Sequence, residues 1–157
     1  MRHLTLILLL THSTLALAQE PITPKDAPIV VYQLQDDYDS IKSNLDIAIT
    51  GRGMLITNTL HISDMFNRTA ADTGLANAIY EKAESFEFCN IKLSHQMSSA
   101  HPANLSICPL TVGIYTLQSH PGSVFLTYRS PHMLGKADEA EKALITLYEG
   151  IIREAME

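Results

Sequence analysis

Between Phe88 and Pro109 the chain reads FCNIKLSHQMSSAHPANLSICP, a window that holds both of its cysteines, Cys89 and Cys108, together with His95, Met97 and His101. Thiolate, thioether and imidazole together suit a soft or borderline centre such as copper, zinc or a non-covalent haem iron. The spacing Cys89-x5-His95-x5-His101-x6-Cys108 matches no familiar zinc pattern, whose paired ligands lie about two to five residues apart. As a disulfide, the same two cysteines would close a loop of about 20 residues and stabilise a small exported domain by on the order of 3 kcal/mol. The third chemistry is a reactive thiolate handling sulfur or redox equivalents, which requires a neighbouring cation such as Lys92 or His95. Spacing leaves these three readings open.

Other chemistry is excluded or weak. The chain has no C-x-x-C-H, no C-x-x-C and no H-E-x-x-H, which removes covalent haem attachment, a thioredoxin-type dithiol and a zincin protease. Gly51-Arg52-Gly53 lacks the third glycine of a dinucleotide fingerprint and follows a helical pattern where that motif follows a strand. No G-x-S-x-G elbow frames a serine. Tyr128-Arg129-Ser130-Pro131 ends a strand pattern, and Arg129 is a candidate to clamp a carboxylate or sulfur oxyanion through a bidentate contact; a plain salt bridge is its bland alternative. His61, His120 and His132 read as surface or structurally satisfied histidines, and Met65 and Met133 as core filler.

The elements that must position these residues follow from hydrophobic period and punctuation. Ile29–Tyr32 is β-branched and aromatic and reads as a strand. Asp39 is expected to cap a helix over 39–50, with Ile41, Leu45, Ala48 and Ile49 on one stripe and Gly51 and Gly53 ending it. A strand over 54–60 and a short helix from Ser63-Asp64 to Gly74 come next. Residues 84–90 alternate, with Phe86 and Phe88 on one face, and form a half-buried strand. Ser94–Ala100 is a short helix stopped by Pro102. Strands over 107–117 and 123–128 flank Gln118–Gly122 as an antiparallel hairpin. Residues 136–157 carry an i, i+3, i+4, i+7 stripe from Ala140 to Ala155. The sum is an α+β domain, a mostly antiparallel sheet with helices on one face and a long amphipathic C-terminal helix.

Composition bounds the setting. The chain has 157 residues and a net charge of −6, enough for one core and unsuited to gripping a phosphate backbone, so nucleic acid is not an expected partner. Residues 1–18 combine Arg2, an apolar run and Ala16-Leu17-Ala18, the pattern of a secretory signal cleaved after Ala18. The segment falls short of the roughly 20 apolar residues that span a bilayer, and no stable membrane anchor is expected. Export would leave ten basic against seventeen acidic groups, in a periplasmic or extracellular setting that favours pairing of Cys89 with Cys108. Residues 19–28, with Pro21, Pro24 and Pro28, read as an extended tether, and 29–157 as the single domain.

Phe88-Cys89, Leu93-Ser94, Met97, Ala100, Pro102, Asn104, Cys108-Pro109, Tyr115, Pro121-Gly122, Val124 and Tyr128-Arg129 with Pro131 together resemble the family known as domain of unknown function 302 (DUF302), in an exported two-cysteine subgroup. The resemblance covers roughly Tyr38 to Pro131. It implies a compact α+β domain that forms homodimers and acts beside periplasmic electron-transfer or sulfur-oxidation partners, with non-covalent haem as a cofactor to test. Cys89 and Cys108 carry over from the pattern; His95 and His101 depart from it. The expectation is a non-catalytic ligand-binding or redox-associated module, against a cofactor-free disulfide-stabilised interaction module or a thiol-dependent sulfur-transfer enzyme.

Overall fold

A computed structural model describes residues 19–74 and 79–157. The expected signal segment and its cleavage point lie outside the described residues. Five strands, β1 (Ile29–Gln35), β2 (Ile56–His61), β3 (Lys82–Phe88), β4 (Leu110–Thr116) and β5 (Ser123–Arg129), pair antiparallel throughout in the order β1-β5-β4-β3-β2. Four helices accompany them: α1 (Tyr38–Thr50), α2 (Ile62–Thr73), α3 (Ile91–Ala100) and α4 (Asp138–Ala155). The α+β class expected from the pattern is the observed one.

Period-2 alternation divides the sheet into two faces. On one, Val30, Tyr32, Leu34, Phe86, Phe88, Leu110, Val112, Ile114, Val124, Leu126 and Tyr128 meet α1, α3 and α4 in a single core. The stripe of α4 supplies Ala140, Leu144, Tyr148, Ile151 and Ile152, all buried. The other face carries α2 at the β3 side, where Phe66 stacks on Tyr80, Tyr80 packs edge-on against Tyr115, and Tyr115 stacks on Phe125.

Several boundaries differ from the sequence pattern, each for a local reason. Helix α1 is capped by Asp37, whose carboxylate accepts the Ser40 N–H at 2.9 Å, and not by Asp39. Starting at Tyr38 puts Tyr38 on the buried stripe with Ile41 and Leu45, while Asp39 in the first turn pairs with Lys82 at 2.9 Å. At the far end Gly53 takes the left-handed backbone, whereas Gly51 stays right-handed; a Cβ there would lie 2.8 Å from the Ile47 carbonyl oxygen.

Helix α2 follows β2 directly at Ile62, because Ser63 does not act as its cap: the Ser63 hydroxyl accepts the Ala83 N–H at 3.1 Å. Strand β3 runs two residues earlier than the alternation suggested, ending at Phe88 and leaving Cys89 just outside it. Helix α3 starts at Ile91, three residues before the expected Ser94, since the Asn90 side chain accepts the Leu93 N–H at 3.1 Å. The stretch Pro102–Ile107, whose last residue the sequence pattern puts at the start of the strand over 107–117, is a 3-10 helix started by proline and by His101 Nδ1, which accepts the Ala103 N–H at 3.2 Å, and the strand begins at Leu110. Asn104, buried inside this helix, donates to the carbonyls of Met97 and Leu134 and accepts the Leu134 N–H.

The two sheet edges are finished differently. Gln19–Thr23 runs along β1, with the Ile22 N–H donating to the Val31 carbonyl at 2.8 Å and the Thr23 hydroxyl accepting the Val31 N–H at 3.0 Å. Strand β2 pairs only with β3 among the described residues, with a bulge between Ile56 and Asn58.

Candidate functional site

The end of the sheet where β3 stops and β4 begins gathers both thiols. Phe88 pairs with Leu110, which sets Cys89 opposite Pro109 and diagonal to Cys108. Cys89 is exposed and Cys108 half-buried, and both are free thiols here. The Cys108 sulfur packs against the core and lies 3.2 Å from the Ser94 hydroxyl of α3; the Cys108–Pro109 peptide is cis. Burial, then the neighbouring Cys108 thiol, pushes the Cys89 thiol up, opposed by the Leu110 N–H. Neither Lys92 nor His95 is among the groups acting on it.

The other residues of the window are turned to other work. Met97 is fully buried in the core. His95 faces solvent one turn from Ser99, with Nδ1 3.4 Å from its hydroxyl. His101 caps the 3-10 helix. Among the described residues no group of three or more His, Cys, Asp or Glu side chains converges as a metal site would require. Of the five residues Cys89, His95, Met97, His101 and Cys108, the fold brings together the two cysteines, while Met97 lies in the core, His95 faces solvent and His101 starts the 3-10 helix.

Arg129 ends β5 on the side of the sheet away from the core, exposed, and also borders a crevice of about 240 Å³ with Ser106, Pro131 and Tyr148. Burial pushes Tyr148 up to about 12, opposed by the Thr111 N–H and the Arg129 charge. No carboxylate lies within ion-pair distance of Arg129 among the described residues, so the salt bridge set against its anion reading is not formed.

A second polar cluster was missed in the sequence. Glu84, with its side chain 10% exposed, accepts from Lys42 Nζ at 2.6 Å, His61 Nδ1 at 2.6 Å and Tyr38 Oη at 3.1 Å. Burial by itself would disfavour its ionised form and push Glu84 up; the hydrogen bonds from Lys42 and Tyr38, the Lys42 charge and the His61 hydrogen bond outweigh it and hold Glu84 below the usual carboxylate range. The signal was present in the alternation, since Glu84 shares its face with Phe86 and Phe88 and a charge there must find partners. Those partners come from α1 and from the end of β2, joining three elements.

A five-stranded antiparallel sheet, a three-helix cover and paired thiols at one end define a small α+β domain of one core. The chain belongs to the DUF302 family: the family model, described as Domain of unknown function DUF302, matches residues 30–156. The fold is similar to the crystal structure of an uncharacterized conserved DUF302 protein from Bacillus stearothermophilus, with a TM-score of 0.56 and 12% identity over 82% of this chain and 93% of that one. No curated protein matches the chain. No helix among the described residues is long and apolar enough to cross a membrane.

Proposed function

We propose that this protein is an exported, non-catalytic dithiol module that works beside a periplasmic electron-transfer or sulfur-oxidation system. The observation that carries the reading is the meeting of Cys89 and Cys108 at the paired ends of β3 and β4, with Cys89 open to a partner. Oxidation joins the two sulfurs, releasing two protons and passing two electrons to a partner protein's disulfide, which opens to two thiols. The upward shift of the Cys89 thiol favours a pair that rests as the disulfide over a permanently ionised nucleophile, and so favours this reading over a sulfur-transfer enzyme. A homodimer fits the same picture, with the β2 edge, unpaired among the described residues, as the contact, because an unpaired strand edge is a template for a second chain.

The test is intact-mass measurement of protein recovered from an oxidising compartment, alkylated before and after reduction. The expected product begins at Gln19, is two hydrogens lighter than the reduced chain, and takes up two alkyl groups only after reduction. Two thiols that alkylate freely in the recovered protein would overturn the dithiol reading. A chain that keeps Met1 would overturn the export. Sedimentation checks the dimer, and a monomer at every accessible concentration would remove it.

A further inference from the structure

The face of the sheet away from the core holds a trough that owes nothing to the thiols. Register places Val31, Thr127, Gly113, Ser85 and Leu60 in one row across the five strands. The middle three positions of this row are small, so the centre of the sheet sinks there. A Cβ at Gly113 would lie 2.9 Å from the Thr127 methyl, so a larger residue there would have to displace Thr127. Along one side rise Tyr80 and Tyr115, held by their aromatic contacts to each other and to Phe66 and Phe125, with Ile62 of α2 beside them. Arg129 stands in the neighbouring row, opposite Ile29 on β1. The resulting space is about 350 Å³ and is lined by apolar and small polar groups, with Arg129 its one cation among the described residues; Glu84 also borders it, but its position falls on the opposite face of the sheet, where Lys42, His61 and Tyr38 hold its carboxylate. That size falls at the small end of ligand cavities, which pair an apolar lining with a few placed polar groups.

We propose that this trough binds a small apolar oxyanion: a flat apolar body lying on the Ser85–Gly113 floor against Tyr80 and Tyr115, with a single carboxylate or sulfonate on Arg129. Charge fixes the class of ligand. The arginine has no carboxylate partner among the described residues, and its planar fork matches a two-oxygen anion. The chain as a whole is acidic, at −6, so a single cation in an apolar trough selects a monoanion with an apolar body over a polyanion held by charge alone.

Two fluorescent probes of nearly the same shape test this in the full chain: 1-anilinonaphthalene-8-sulfonate, which carries the head group, and N-phenyl-1-naphthylamine, which lacks it. Both are expected to bind saturably at one site per chain. Arg129→Gln is expected to weaken the sulfonate about tenfold, the factor for losing a charge-assisted hydrogen bond, and to leave the neutral probe unchanged. Ser85→Leu, which fills the floor, is expected to displace both. Equal sulfonate affinity in Arg129→Gln, parallel loss of both probes in that variant, or the absence of saturable binding would each overturn the proposal. These measurements are made equally well in a chain with both cysteines replaced by serine, so the site stands or falls apart from the dithiol.

Discussion

Strands β3, β4 and β5 present Phe86, Phe88, Leu110, Val112 and Leu126 to the helices on one face, and Ser85, Thr111, Gly113 and Thr127 to the other. Both sets come from the same backbone at alternate positions, yet the first set is closed over by α1, α3 and α4 while the second is left as a trough beneath one short helix. Large apolar side chains on one side supply the burial that holds the fold. Small ones on the other cost little stability and leave room for a ligand. The dithiol and the Glu84 cluster sit between these extremes, at the margins where the covered face meets solvent.

The contrast breaks or sharpens under mutation. Leu144→Ala on the covered face, fully buried, is expected to cost about 2–5 kcal/mol in denaturant unfolding, whereas Ser85→Ala on the open face changes stability by less than about 0.5 kcal/mol. Equal effects would dissolve the division of labour. If the proposed Cys89–Cys108 disulfide forms, its reduction or the replacement of both cysteines by serine is expected to remove on the order of 3 kcal/mol; an unchanged melting temperature under reductant would show that the pair does not brace the sheet end.

Glu84→Gln is expected to cost about 1.5–3 kcal/mol, since it weakens charge-assisted hydrogen bonds at a mostly buried carboxylate. The pH dependence has a definite sign. Glu84 ionises below its ordinary value of 4.5 in the folded chain, so its contribution is full above that value and lost as pH falls through the lowered one. Unfolding curves of Glu84→Gln and the unmodified protein should therefore differ at neutral pH and converge in acid; a gap that stays constant into acid would show that Glu84 acts by packing alone. The smallest effect belongs to Asn90→Ala, which removes the α3 cap and is expected to cost about 1 kcal/mol. If thermal denaturation shows no loss, α3 is held by Leu93 and Met97 in the core and its cap is dispensable.

Helical and strand periods were legible where burial follows a simple rule. The stripe of α4 and the Phe86–Phe88 alternation are of this kind, because an amphipathic element repeats its own geometry in the residue types along it. Boundaries were less legible. Asp37 and Asp39 are equally good caps by type, and the choice between them was settled by which start buries Tyr38. The same holds for Ser63 and Asn90, whose side chains went to whichever N–H the packing left unpaired. In the cysteine window, residue types named three chemistries without separating them. The fold set Met97 in the core and His101 on a helix start, leaving two thiols together.

Residue order by itself determined the fold class, the identity of the family and the pairing partners available to Cys89, because periodicity and composition are local properties that survive any docking of the elements. The Glu84 cluster and the Arg129 trough depended on tertiary structure. Tyr38, Lys42, His61 and Glu84 lie as far as 46 residues apart, and the trough floor exists only where Ser85, Gly113 and Thr127 fall into one register across three strands. Such meetings are set by strand order and side-chain packing, where each contact depends on many distant ones, and no spacing along the chain encodes them.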